Sequence, residues 1–250
     1  MKRFANKVEE DHLCVISDLH LGNPAFFKRD YLTSFIKHLS RKGVSLCING
    51  DGIDLLQFTT SKLAKDVKSA IKSLKDFLTE GRKKIYYVMG NHDTHLEVYL
   101  AESGFFSVIP SLEVISGGRR IHIEHGHLYD HLFLRSPRLY FQIAKVLGKL
   151  LRLSPKLFHL YFKMEWLLYE LKHKNGHGHE SALVDTPSNL AAAKKLFKRG
   201  FDIVILAHTH RHGLHMMGDG KILANAGAWT SDKLHYLEIK KGSISLKEWY

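Results

Sequence analysis

The chain has 250 residues, 44% of them hydrophobic, which is enough to bury one full core, so a single domain over 1–250 is expected. No window approaches roughly 18 uninterrupted apolar residues, which argues against a membrane-spanning helix, and the charged start from Met1 to Asp11 lacks the apolar run of a secretory signal. The net charge of +12 favours an anionic partner, whether phosphorylated substrate, nucleic acid or anionic membrane surface, without choosing among them.

Short apolar runs at 13–17, 44–49, 84–89, 121–124 and 202–207 read as strands. Between the earlier ones lie helical patterns at 28–40 and 61–79, with Gly43 and Gly81 as stops. This rhythm predicts an α/β sheet. Cys14 and Cys47 fall within the first two runs and read as buried; two cysteines are too few for a disulfide framework, and a reduced cytoplasmic setting follows. The tail segments 221–224, 234–240 and 243–248 read as successive antiparallel strands. No internal repeat or low-complexity linker interrupts the chain.

The stretch from about 128 to 180 breaks the rhythm, with helical patterns and no strand. Ser136-Pro137, Ser154-Pro155 and Thr186-Pro187 each place a capping hydroxyl before a proline at the first helical position, and Gly200 ends the third helix. In the second, Leu157, Tyr161, Met164, Leu168 and Leu171 make one face, and Phe158, Phe162, Trp166 and Tyr169 a neighbouring one. A helix apolar around most of its girth packs on two sides or leaves an apolar surface. The stretch reads as an inserted helical cap.

Chemistry-bearing residues cluster where the strands end. Asp18-Leu19-His20, Gly50-Asp51-Gly52-Ile53-Asp54, Gly90-Asn91-His92-Asp93, His125-Gly126-His127 and His208-Thr209-His210 each follow one predicted strand. Taken singly, each has an ordinary reading, since an Asp after a strand is commonly a turn or a helix cap. Five in order are hard to obtain that way, because the carboxyl ends of strands in an open α/β sheet line one crevice. Carboxylate, amide oxygen and imidazole together suit Mn, Fe or Zn better than Mg. Asp93 reads as the cap of a helix starting near Thr94, and the histidines at 173, 177 and 179 as a solvated loop.

The order D-x-H, GD-x-x-D, GNHD, H-G-x and H-x-H, with Asn225-Ala-Gly-Ala-Trp229 behind it, resembles the calcineurin-like metallophosphoesterases. The resemblance implies an α/β fold of two sheets, an αββα sandwich, here with the helical cap inserted. It implies that Asp18, His20, Asp51 and His210 hold one divalent metal and that Asp51, Asn91, His125 and His208 hold the other, with Asp51 bridging. Mn is the expected metal, with Fe or Zn as alternatives. Such a pair, roughly 3.5–4 Å apart, clamps a phosphate and lowers the pKa of a shared water for in-line attack. His92 is expected to donate a hydrogen bond or proton to the phosphoryl or leaving oxygen, and Asp54 to orient it and keep it protonated.

Within that superfamily, Ser17-Asp18-Leu19-His20-Leu21-Gly22, His208-Thr209-His210-Arg211 and the apolar insertion are similar to the UDP-2,3-diacylglucosamine pyrophosphatases. The chain departs from them at His92, where they carry Arg, at His127, where Asp is common, and at Ala207, where Gly is usual. A lipid-linked pyrophosphate is thus the expected substrate, with peripheral contact to an anionic membrane at the inner face. A phosphodiesterase for a soluble nucleotide, with the cap as a dimer interface, is the alternative. A nuclease comes next, because the aromatic and basic residues of the cap are mixed with large aliphatics, which fits lipid better than base stacking. A non-catalytic scaffold ranks last, because the ligand set is complete.

Overall fold

The apolar runs form strands because nearly every residue in them is covered. In β2 (His12–Ile16), β3 (Ser45–Asn49) and β4 (Ile85–Val88) only His12 is not fully buried, the mark of strands covered on both faces. The computed structural model describes residues 6–24, 26–81, 83–94, 107–153, 160 and 186–250. One sheet runs β12 (Ser243–Trp249), β11 (Leu234–Lys240), β2, β3, β4 and β5 (Ser107–Ile109); β2 to β5 are parallel, and β11 is antiparallel to both its neighbours. The other runs β1 (Asn6–Glu9), β6 (Leu112–Ser116), β7 (Arg119–Ile123), β8 (Ile203–Ile205), β10 (Ile222–Ala226) and β9 (His212–Met216).

The two sheets face each other across Leu13, Val15, Cys47, Tyr86 and Val88 from one side and Val114, Ile121, Ile123, Ile203 and Ile205 from the other. The outer face of the first sheet is covered by α1 (Arg29–Lys42) and α2 (Thr60–Gly81), through Phe35, Leu39, Leu74 and Phe77 on Ile16, Leu46 and Ile48. A helix over Pro187–Lys198 covers the second sheet through Ala192, Ala193 and Leu196. The result is the four-layer αββα sandwich. Cys14 and Cys47 are buried free thiols, as expected. Among the described residues no helix is long and apolar enough to cross a membrane.

Several local signals act as read. Gly43 closes α1 at φ 61°, its N–H reaching the carbonyls of Leu39 and Ser40. Thr186 caps its helix by accepting from the N–H of Asn189, with Pro187 behind it. After β7 come a single turn at His127–Tyr129, then α3 (His131–Arg135) and α4 (Pro137–Leu153), which starts at the predicted proline; the Thr186-capped helix is therefore α5. The second predicted cap helix and the histidines at 173, 177 and 179 lie outside the described residues.

The tail reading needs correction. Strand β10 does not join β11 and β12; it lies in the other sheet, parallel to β8 and antiparallel to β9. Its five residues are all buried, so they belong to the centre of a sheet, whereas β12 is a half-exposed edge. Four strands were also not foreseen: β1, β5, β6 and β9. Each is short, and β1 and β9 are polar edge strands held by pairing with a neighbour, not by apolar content.

Candidate metal centre

Strands β2, β3 and β4 of one sheet and β7 and β8 of the other all end at one rim, and the five polar loops meet there. These loops are tightly kinked. Asp18, His20, Asp51, His208 and His210 all have positive φ, between 50° and 69°, and make up five of the seven non-glycine residues so placed among the described residues. Such a backbone costs about 1–3 kcal/mol per residue and persists where the surroundings over-determine it, typically at functional sites. Gly90 is required for a different reason: a Cβ there would run into the Asp51 carboxylate.

One group of ligand atoms comprises Asp18, His20 and His210, all within 4.8 Å of one another. Asp18 is fully buried, and neither carboxylate oxygen has a hydrogen-bond partner among the described residues. His210 Nε2 lies 3.3 Å from Asp18 Oδ1 and 3.3 Å from His20 Nε2. Two imidazole nitrogens and an unsatisfied carboxylate pointing at one spot need positive charge between them. Burial works against the charge on Asp18, but His210 holds its carboxyl below the usual range.

A second group brings together Asp51, His125 and His208 within 4.8 Å. His125 Nδ1 donates to the Asn49 carbonyl at 3.0 Å, so its Nε2 is left to face Asp51 Oδ2 at 3.4 Å and Asn91 Oδ1 at 3.2 Å. His208 Nε2 is held by Asp130 Oδ2 at 3.0 Å, which leaves its other nitrogen for a cation. Burial disfavours charge on His125, yet Asp51, with Asp18 farther off, carries its imidazole up to about 10. The field that would hold a proton there would hold a divalent cation. Asp51 Oδ1 accepts the backbone N–H of His92 at 2.8 Å, so Oδ2 is the oxygen turned to both groups, 4.0 Å from His20 Nε2.

His92 and Asp54 meet as the sequence predicts. His92 Nδ1 lies 3.1 Å from Asp54 Oδ1, and its ring packs edge-on against His20 with centroids 4.8 Å apart. Burial opposes charge on His92, but Asp51 and Asp54 together raise it to about 9. Asp54 is itself pinned: Oδ1 accepts from Leu56 N and Gln57 N at 2.9 and 2.7 Å, and Oδ2 from Asn23 Nδ2 at 2.7 Å. His92 Nδ1–H directed at Asp54 leaves Nε2, 4.0 Å from Asp51 Oδ2, facing the site.

All nine sequence candidates therefore converge: Asp18, His20, Asp51, Asn91, His125, His208 and His210 around the cluster, His92 and Asp54 beside it. A third group, His20, Asp51 and His92, links the other two through His20 and Asp51, so the donor set fits two divalent cations with Asp51 between them, the arrangement the resemblance implies. Asp93 reads in the sequence as the cap of a helix starting near Thr94, which from residue 95 lies outside the described residues. It turns inward, with Oδ1 accepting from Gly90 N at 2.6 Å and Oδ2 from Gly52 N at 2.9 Å and Tyr87 Oη at 2.5 Å, so it ties the second and third loops together. His127 is buried, its Nδ1 without a partner among the described residues, and packs between His125 and Phe133. Burial first and His125 next hold it neutral, down to about 3. The Asn225 to Trp229 segment braces the rim: Asn225 donates to Thr209 Oγ1, and Trp229 N to the Asp18 carbonyl.

Sequence reasoning missed Asn23, Gln57, Asp130 and Tyr140. Tyr140 and the Ala144 carbonyl come from α4, whose inner face also carries Gly148 against Gln57. The signal for that face was present as Tyr140, Ala144 and Gly148 at four-residue spacing, polar or small residues on an otherwise large-apolar helix.

A family model described as calcineurin-like phosphoesterase matches residues 12–212. Among solved structures, a dimetal phosphatase from Danio rerio is 12% identical with a TM-score of 0.50, over 95% of this chain and 95% of that one. Vacuolar protein sorting 29 from Cryptosporidium parvum is 14% identical with a TM-score of 0.47, over 96% of each chain. A predicted phosphoesterase from Streptococcus pneumoniae is 12% identical with a TM-score of 0.45, over 96% of this chain and 88% of that one. At such identities the likeness concerns fold alone. A search of curated proteins gives no match. The family match takes in all five ligand-bearing loops, and the chain belongs to the calcineurin-like phosphoesterase family, as a metal-dependent phosphoester hydrolase.

Proposed function

We propose that this hydrolase acts on a lipid-linked pyrophosphate in the manner of the UDP-2,3-diacylglucosamine pyrophosphatases, with Mn as its metal and at the surface of an anionic membrane. The observation that carries the reading is α4. Its inner face reaches the metal centre, while its outer face exposes Leu139, Ile143, Val146 and Leu150 at 47%, 47%, 57% and 48%. These four follow the spacing of a single helical stripe. The same stretch carries Arg135, Arg138, Lys145 and Lys149, and residues 131–153 contain no Asp or Glu. An aliphatic ridge on a helix whose charged residues are all cationic suits an acyl chain under an anionic headgroup.

The chain's own groups supply a proton donor for the departing oxygen. Held by Asp54 through Nδ1, His92 offers a protonated Nε2 to the departing oxygen. Asn23 and the backbone N–H groups of Leu56 and Gln57 fix Asp54, so the imidazole is aimed before substrate arrives. The test is a comparison of kcat/KM for UDP-2,3-diacylglucosamine with that for soluble nucleotide diesters, using Mn-loaded enzyme and vesicles containing anionic lipid. The reading predicts a preference of about 100-fold or more for the lipid, since each buried methylene contributes roughly 0.8 kcal/mol. Equal values, or a preference for the soluble diester, would give first place to the soluble-substrate phosphodiesterase.

A further inference from the structure

Tyr140 reaches the metal centre from α4, outside the loops that carry the ligands. Asn91, 1% exposed, donates from Nδ2 to the Tyr140 hydroxyl oxygen at 2.8 Å. The other end of the amide, Oδ1, faces His125 Nε2 at 3.2 Å, on the side of Asp51. The two ends have opposite chemistry: the oxygen can ligate a cation and the NH2 cannot. With the oxygen turned to a cation, the buried NH2 needs an acceptor, and leaving it without one costs its desolvation. The tyrosine hydroxyl meets that need. Its ring is held in place by Phe133 at 5.4 Å, which packs edge-on against His127 at 5.1 Å. One turn farther along α4, the Ala144 carbonyl accepts from Gln57 Nε2 at 3.0 Å, which ties the helix to the loop bearing Asp51 and Asp54.

We propose that Tyr140 is a positioning residue of the hydrolytic site: its hydroxyl holds the Asn91 amide with the oxygen toward the cation, so that docking of α4 and loading of one metal are linked. By reciprocity, a cation on Asn91 favours the docked helix as much as the docked helix favours the cation. The proposal rests on the reading of Asn91 as a metal ligand and does not depend on which phosphoester is the substrate.

The experiment is calorimetric titration of Mn2+ into chelator-treated wild type, Tyr140→Phe, Asn91→Ala and the double variant, with melting of each metal-free protein alongside. Tyr140→Phe removes one oxygen and keeps the ring. One of its two metal equivalents should weaken roughly 10–100-fold while the other stays as in wild type. Saturating Mn2+ should restore hydrolysis of bis(p-nitrophenyl) phosphate, and Tyr140→Phe should add little in the Asn91→Ala background. Two wild-type affinities in Tyr140→Phe overturn the proposal. So does a loss that persists undiminished beside Asn91→Ala, or a lowered melting temperature with both affinities reduced together, which would make the hydroxyl a strut of the cap. A wild type that takes up fewer than two equivalents overturns the metal-centre reading first, and this proposal with it.

Discussion

Asp51 is the residue on which the site turns, because its Oδ2 faces His125 at 3.4 Å and both His20 and His92 at 4.0 Å. Replacing it by Ala should abolish both metal equivalents, whereas His210→Ala, whose Nε2 stands beside Asp18, should mainly weaken one; metal content after gel filtration measures this. Full occupancy in the Asp51 variant would remove the bridging scheme. At His92 the expectation concerns rate. His92→Ala should lower kcat by roughly 10²–10⁴-fold with metal content unchanged, and the loss should shrink as the leaving group becomes more acidic. An equal loss across a series of aryl leaving groups would instead mean that the imidazole only positions the phosphate. These roles were legible in the sequence because a ligand-bearing loop must repeat the same few side chains. Asn23, Gln57 and Asp130 were not, since an amide or carboxylate that holds another side chain carries no spacing rule and is recognised only by what stands beside it.

Helix α4 shows what periodicity yields at the scale of an element. Its proline start and its excess of apolar surface could be read from residues 136–153, but which face docks could not. The deciding contact, Gly148 against Gln57, joins segments far apart in sequence, and a Cβ at Gly148 would stand 3.1 Å from Gln57 atoms. Placing charge on the outer stripe, as Leu139→Glu with Val146→Glu, should leave folding and hydrolysis of a soluble diester near wild type. It should raise KM for the lipid substrate at least tenfold, by losing two exposed apolar contacts of about 1.5–3 kcal/mol each when buried. Sedimentation of the same variants separates the competing use of the ridge: a dimer that falls apart while lipid hydrolysis is unaffected means the face joins two copies. The strand β10 teaches the reverse lesson, since its apolar run was visible and its sheet was not. Both sheets demand the same residues, and only pairing with β8 and β9 assigns it.

Across the whole molecule, the sandwich brings loops from two sheets to one rim and leaves Asp18 and Asp51 both buried there, 0% and 2% exposed. Bound cations would offset their mutual repulsion and lost hydration, so metal binding would also add folding stability. Free metal at about 100 times its dissociation constant should contribute about 2.7 kcal/mol per site, and a chelator should lower the melting temperature accordingly. A melting curve indifferent to chelator would mean that the histidines alone neutralise the rim. Alternating strands and helices announced an α/β sheet, the αββα layering came with the family resemblance, and the convergence of five loops followed from strand ends lining one crevice. The edge strands β1 and β9 were too short and polar to announce themselves. The central claim, a two-metal hydrolytic centre, is tested most directly by titrating Mn2+ into metal-free protein while following hydrolysis of a phosphodiester in the same cell. The account predicts little turnover through the first equivalent and a rise that saturates at the second. Saturation at one equivalent, or turnover undiminished without metal, would contradict it.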